Sequence, residues 1–228
     1  MTQVDVRKKI LEANEAAAAR LRTAFRDSGT LVVNIISSPG SGKTTLLEGT
    51  IRKMKDRFRL GGLDGDIATE RDAERLRKAG IPARQILTGG ACHLDARQIV
   101  SALDDEGEQF AGLDILFIEN VGNLICPTSY DLGEDFKVAL LSVTEGDDKP
   151  FKYPAIFSKA EVTVITKTDL LPFVEFDLGA VRSELATLRP GGTVFEVSSK
   201  RGQGLDAWCA GLEERLAGKR ARPEDLKA

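Results

Sequence analysis

Several short stretches of this 228-residue chain combine residue types and spacings that could do chemistry. The first is Ser37-Ser38-Pro39-Gly40-Ser41-Gly42-Lys43-Thr44-Thr45, set between an apolar run at 31–36 and a helical pattern at Leu46, Leu47, Ile51 and Met54. It fits GxxxxGK[ST] except that Ser37 stands where the first glycine is expected. Glycines let backbone N–H groups curl round phosphate oxygens, and the helix N-terminus that follows adds partial positive charge. Pro39, Gly40, Ser41, Gly42 and Thr45 would line such a loop. Lys43 would reach the β- and γ-phosphates, and the Thr44 hydroxyl would join a Mg2+ shell. A Gly/Ser-rich turn with a surface lysine is the bland alternative, and the strand–loop–helix context weighs against it.

The second stretch is Thr166-Lys167-Thr168-Asp169, an [N/T]KxD pattern at the end of a late apolar run. Asp169 can accept from the guanine N1–H and the exocyclic amine together, a charge-assisted bidentate contact. Adenine has an acceptor at N1 and no amine at C2, so the same carboxylate would discriminate against it. The Lys167 stem could pack over the base. Ser198-Ser199-Lys200 follows the last strand and resembles the S-A-K loop that backs the base in GTPases, with Ser199 and Lys200 as the contacts. Thr166 stands where most GTPases have asparagine, which predicts a looser base loop. GTP and GDP are the expected ligands.

Hydrolysis needs groups that hold Mg2+ and orient water, because phosphoryl transfer rests on positioning and charge neutralisation. Asp64-Gly65-Asp66 and Asp72 follow the second apolar run; Glu119-Asn120-Val121-Gly122 follows the fourth, where GTPases carry DxxG. Asp66 and Glu119 are expected at the Mg2+ or its water shell, with Asp66 also a candidate for orienting the attacking water. Asp72 has two readings, a catalytic carboxylate or the partner of Thr69 in a capping box at a helix start. Gly122 would supply the N–H that senses the γ-phosphate.

The last cluster is defined by scarcity. The chain has one histidine, His93, next to Cys92, and Cys126 lies four residues beyond Gly122. A lone cysteine is usually a small buried hydrophobe. Two of the three cysteines and the sole histidine following strand ends on one face suit Zn2+ or Ni2+. Neighbouring ligands such as Cys92 and His93 are expected to point apart, which predicts an incomplete set, shared across a dimer or left open for transfer. Cys209, among Leu205, Trp208 and Leu212, reads as core.

The elements that must position these residues are legible in the hydrophobic pattern. Strands are expected at 31–36, 58–63, 84–87, 113–118, 138–143, 162–165 and 193–197, separated by helical patterns. The central runs are apolar throughout, as in a parallel sheet covered on both faces. The fold class is therefore α/β, a mainly parallel, doubly wound sheet flanked by helices. Val6, Ile10, Ala13, Ala17, Leu21 and Phe25 form a helix that Ser28-Gly29 ends. The expected organisation is an N-terminal helix at 1–29, appended to a P-loop domain at 30–218, with a frayed tail at 219–228. Composition agrees: 42% hydrophobic residues can furnish a core, and the net charge of −3 argues against a nucleic-acid binder. No run approaches the roughly 18 apolar residues of a membrane span, and the N-terminus lacks a signal peptide's apolar core. A cytoplasmic setting with no membrane partner is expected.

Taken together, SSPGSGKTTLL, GGACHLDA, LFIENVGNLICP, LGEDFKVALLSVTEGDDKPFKYP, TKTDLLP and the terminal GxGLDAW resemble the HypB family. These are the hydrogenase nickel-incorporation GTPases of the SIMIBI class of P-loop NTPases. The likeness runs over nearly the whole chain. It implies a metallochaperone GTPase that forms a homodimer across the nucleotide face and binds nickel or zinc at Cys92, His93 and Cys126. It also implies work with a HypA-type nickel chaperone, with a hydrogenase large subunit as recipient. Lys43, Thr44, Asp66, Glu119, Lys167 and Asp169 are carried over to the nucleotide site. The extra cysteine motif and histidine-rich stretch that some relatives have near the N-terminus do not occur here, so no second storage site is expected. Lys149 and Lys152 match the family but receive no chemical role. A urease nickel chaperone ranks lower, since those relatives carry Cys-Pro-His, as does a cobalamin-enzyme chaperone. A small-molecule kinase on the same scaffold is opposed by the TKTD motif, and a passive metal buffer by the paucity of ligands.

Overall fold

The computed structural model describes residues 3–66 and 70–221. In chain order it begins with α1 (Gln3–Ser28), β1 (Leu31–Ser37), α2 (Lys43–Met54) and β2 (Leu60–Asp66). Next come α3 (Arg71–Ala79), β3 (Ala83–Leu87), α4 (Ala96–Glu106), β4 (Ile115–Glu119) and β5 (Phe136–Ser142). Two short helices, α5 (Lys149–Lys152) and α6 (Pro154–Lys159), precede β6 (Val162–Thr166), α7 (Leu178–Leu188), β7 (Thr193–Val197) and α8 (Leu205–Arg220).

The seven strands form one sheet in the order β3-β2-β4-β1-β5-β6-β7, and every pairing is parallel. The doubly wound class read from the sequence is the one observed. Alternating side chains of each strand go to opposite faces, and helices cover both. On one face Val33, Ile35, Phe117 and Leu140 meet Leu46, Ile51, Leu76, Trp208 and Leu212 from α2, α3 and α8. On the other, Val32, Leu116 and Ile118 meet Leu21 and Phe25 of α1 and Ile99 of α4, while Leu141 and Ile165 meet α6 and α7. Trp208 is fully enclosed and its indole N–H donates to Thr50 Oγ1 at 2.9 Å, so burial leaves no unpaired donor. Cys209 is buried beside it, and burial pushes its thiol up to about 11.

The two ends of the chain differ from the sequence reading. The helix α1 is part of the sheet's cover rather than an appendage, with Ala18, Leu21 and Phe25 in the core. α8 runs on past Gly218 to Arg220, where Lys219 donates to Thr30 O at 2.6 Å and Arg220 to Gly29 O at 2.9 Å. Residues 222–228 of the expected tail lie outside the described residues. Among the described residues no helix is long and apolar enough to cross a membrane.

All strands being parallel, their C-terminal ends share one edge of the sheet. That edge carries the loops after β1, β2, β3, β4, β6 and β7, the positions where an open α/β sheet binds its ligands.

Candidate functional site

The loop after β1 turns sharply at Gly40 (φ 75°) and Gly42 (φ 96°), backbone conformations that side chains resist, and α2 starts at Lys43. Ser37, in the place of a glycine, is fully buried, donates to Ser38 O at 2.8 Å and accepts from Lys43 Nζ at 3.3 Å. Ser41 is tied from two sides: its hydroxyl donates to Glu145 Oε2 at 2.9 Å, and its carbonyl accepts from Thr166 Oγ1 at 2.7 Å. The latter bond reverses an expectation. Thr166 does not loosen the base loop; it fastens β6 to the phosphate loop.

Beside Lys43 sit two buried carboxylates. Glu119 ends β4, 4.0 Å from Lys43 Nζ, and its Oε1 accepts from Thr44 Oγ1 at 2.9 Å. Asp64 is its register partner on β2, so both point the same way. Burial pushes Glu119 up to about 8 and Asp64 to about 7; Lys43 opposes both shifts, and Asp64 adds to the push on Glu119. Asp64 Oδ2 and Glu119 Oε2 are buried with no hydrogen-bond partner among the described residues. Orphaned carboxylate lone pairs beside a threonine hydroxyl fit a hard, oxygen-seeking dication such as Mg2+.

Asp64 is the residue the sequence reading passed over in favour of Asp66. Asp66 closes β2 two residues further on, adding its charge to the pressure on Asp64. Asp72, in the first turn of α3, accepts from Arg75 Nη1 at 2.9 Å. The same guanidinium reaches Thr45 Oγ1 at 3.1 Å and both oxygens of Glu48, so Asp72 is braced against the phosphate-loop helix. Its charge also raises Asp64 and Glu119. Thr69, the proposed capping partner, lies outside the described residues, and the N-cap of α3 is Glu70 without a side-chain cap bond.

A cavity of about 220 Å3 lies across the ends of β6 and β7, lined by Thr166, Lys167, Asp169, Leu170, Ser199 and Lys200. Gly42 and Thr45 close its phosphate-loop side. Lys167 adopts a left-handed φ of 58°, with its ammonium on Gly40 O at 2.8 Å. Asp169 accepts from Ser198 Oγ at 2.6 Å, a bond that holds the carboxyl below its ordinary pKa and keeps it charged.

Cys92, His93 and Cys126 come together so that one ligand atom from each lies within 4.8 Å of the others. Cys92 Sγ is 3.6 Å from His93 Nδ1, so the two neighbours converge rather than point apart. The opposite-face rule holds along an extended strand; here Gly89 (φ 62°) and Gly90 (φ 94°) fold the chain into a loop. The His93 ring stacks on Tyr130, centroids 3.8 Å apart. Burial lowers the His93 pKa, favouring the neutral imidazole a metal requires. The hydrogen bond with Cys126 and then burial raise the Cys92 thiol. Asn123 Nδ2 donates to Cys92 O at 3.3 Å, and Asn14 of α1 bridges Ala96 N and Asp131 O at 2.8 and 2.9 Å. None of these supports was legible from spacing, since each spans a large sequence separation.

Gly122 joins the two sites. A Cβ there would come within 2.9 Å of Pro39 Cγ and 3.1 Å of Pro39 backbone atoms, so the loop carrying Cys126 presses directly on the phosphate loop.

A parallel sheet with this glycine-rich loop between β1 and α2 defines a P-loop NTPase. Residues 31–196 match the family described as CobW/HypB/UreG, nucleotide-binding domain. Hydrogenase maturation factor HypB of Azotobacter chroococcum is 46% identical over 228 residues, covering 99% of this chain and 73% of that protein. The crystal structure of HypB from Helicobacter pylori in complex with nickel is 42% identical, with a TM-score of 0.85 over 92% of this chain and 98% of that one. The structure of hydrogenase maturation factor HypB from Archaeoglobus fulgidus gives 41% identity and a TM-score of 0.84, over 90% and 100%. The chain belongs to the CobW/HypB/UreG family and, within it, to the HypB hydrogenase maturation factors, which are GTP-hydrolysing P-loop proteins.

Proposed function

We propose that this chain carries a nickel ion on Cys92, His93 and Cys126 and gives it up for hydrogenase maturation in step with GTP hydrolysis. The observation that carries this reading is the convergence of three soft and borderline ligand atoms within 4.8 Å, with the loop that carries Cys126 packed against the phosphate loop at Gly122. Thiolate and imidazole suit nickel, and zinc is the competing ion. The nickel-bound solved relative supports the choice of nickel.

At the nucleotide site, Asp169 reads the guanine edge, with Lys167 across the base and Ser199 and Lys200 behind it. Pro39, Gly40, Ser41 and Gly42 offer backbone to the phosphates, and Lys43 faces the transferring phosphoryl group. Thr44, Asp64, Asp66 and Glu119 would hold Mg2+, directly or through water. When bound, that ion neutralises charge on the phosphate oxygens. Asp66 or Asp72 orients the attacking water, Asp72 from the position Arg75 gives it. The Gly122 N–H senses the γ-phosphate; its loss relaxes the contact with Pro39, and Cys126 moves with the loop.

Three ligands leave the ion's coordination open, so a second copy of the chain or a HypA-type partner completes it and receives the cargo. Ile125, 65% exposed next to Cys126, gives that face apolar surface for such a chain to cover. Titrating Ni2+ into wild type, Cys92→Ala and Cys126→Ala, followed by thiolate-to-nickel absorption, tests the assignment. Either substitution is expected to weaken binding by about 100-fold or more, the scale on which losing even an outer partner of a metal ligand is felt. Unaltered affinity in both variants would refute it.

A further inference from the structure

Behind the ligand cluster runs a buried polar chain that neither the nucleotide nor the metal ligands require. It is centred on Asn120, which is fully buried and directly follows Glu119. Its backbone N–H donates to Ile35 O of β1 at 2.9 Å, so it is fixed to the strand that feeds the phosphate loop. Its side-chain oxygen accepts from Leu94 N at 3.2 Å and from Val121 N at 3.0 Å. The first of these bonds holds the residue after His93; the second holds the loop that leads to Gly122 and Cys126.

The amide nitrogen of Asn120 leaves in another direction. It donates to Asn34 Oδ1 at 3.2 Å, and Asn34, fully buried on β1, donates to Glu134 Oε1 at 3.2 Å. Glu134 is ion-paired to Lys137, whose ammonium donates to Tyr130 O at 3.0 Å. Tyr130 is the ring stacked on His93. Two routes therefore leave one buried amide and both end at His93, one through the backbone of Leu94 and one through the face of Tyr130. A side chain that only satisfied neighbouring backbone groups would need neither Asn34 nor the return path to Tyr130.

We propose that Asn120 is the positioning residue through which the nucleotide state acts on the Cys92–His93 loop, so that both ligand loops respond together rather than Cys126 alone. Displacement of the β4 end on γ-phosphate loss pulls Leu94 N through Asn120 Oδ1 while Gly122 carries Cys126 along the chain. The inference rests on the nickel reading of Cys92, His93 and Cys126, but its structural half does not need the metal.

The experiment has two arms. In metal-free wild type, amide hydrogen exchange at Leu94 is compared between the GDP form and the form with a non-hydrolysable GTP analogue. A change in protection is expected, and equal protection would overturn the proposal without bearing on whether nickel binds. In the second arm, the ratio of Ni2+ affinities in those two states is measured for wild type, Asn120→Ala and Asn34→Val. Coupling between sites is typically of the order of 5- to 100-fold. Asn120→Ala is expected to reduce the ratio to the part that Gly122 and Cys126 carry along the chain, while Ni2+ still binds, and Asn34→Val, which cuts the Tyr130 branch alone, to reduce it by less. A ratio kept at the wild-type value in Asn120→Ala overturns the proposal. Should Asn120→Ala fail to fold, Asn34→Val and the Leu94 exchange decide it: equal Leu94 protection in the two states, or a wild-type ratio in Asn34→Val, overturns it, and a change in both upholds it.

Discussion

Replacing Asp169 with asparagine is expected to lower GTP affinity by about 100-fold and to turn the preference towards xanthine nucleotides. A hydrogen bond to a charged group contributes about 1.5–3 kcal/mol, and the proposed guanine contact has the carboxylate accept two. Asparagine keeps one acceptor, so the bond from Ser198 Oγ, 2.6 Å in the wild type, survives and the loop keeps its shape. The new amide, however, meets the guanine exocyclic amine donor to donor. The 2-oxo group of xanthine accepts from that amide instead. Competition between GTP and XTP for wild type and variant, read by fluorescent-nucleotide displacement, measures the switch. GTP affinity unchanged in Asp169→Asn would sink the base assignment while leaving the phosphate loop untouched.

Lys43→Ala should lower the hydrolysis rate by about 10²- to 10³-fold, the effect of removing one preorganised electrostatic group from a transition state. The lysine is buried, 3.3 Å from Ser37 Oγ, and its charge opposes the upward shift of both Asp64 and Glu119. It lowers the pKa of both carboxyls, so its loss pushes them further up and weakens their hold on a dication. Single-turnover hydrolysis at saturating GTP separates this from weaker nucleotide binding. A rate within a few-fold of wild type would remove Lys43 from the reaction.

The phosphate loop, the TKxD turn and the sheet's winding were all legible in the sequence, because each is a local pattern whose residue types are dictated by backbone geometry or ligand chemistry. The buried Asp64 carboxyl beside Glu119 was not. Gly61, Gly62 and Gly65, beside Asp64 and Asp66, make β2 a poor strand by composition, so the expected strand stopped at 63. The structure supplies the reason for the glycines. A Cβ at Gly61, Gly62 or Gly65 would lie 2.4, 2.9 or 2.7 Å from Leu113, Leu76 or Leu94. Close packing against leucines on both faces favours glycine, and the strand continues through Asp64 to Asp66 regardless.

Much the same holds at the Cys92–His93–Cys126 cluster. That Cys92, His93 and Cys126 follow strand ends on one edge could be read from the order of elements. That Cys92 and His93 converge could not, since it depends on a loop turned by Gly89 and Gly90 and on a ring, Tyr130, that arrives from 37 positions away. The role of Thr166 was hidden in the same manner: its partner, Ser41 O, is 125 residues distant. Long-range polar ties have no sequence period, and they are what fasten the base loop, the phosphate loop and the ligand loops into one unit.

That unity is the central claim, and one measurement tests it most directly. Ni2+ affinity of the wild-type chain is determined by calorimetry in the presence of Mg2+ with GDP and, separately, with a non-hydrolysable GTP analogue. Coupling through Gly122 and Asn120 predicts affinities that differ by about 5-fold or more, on the scale of ordinary linkage between sites. Equal affinities in the two states would contradict it.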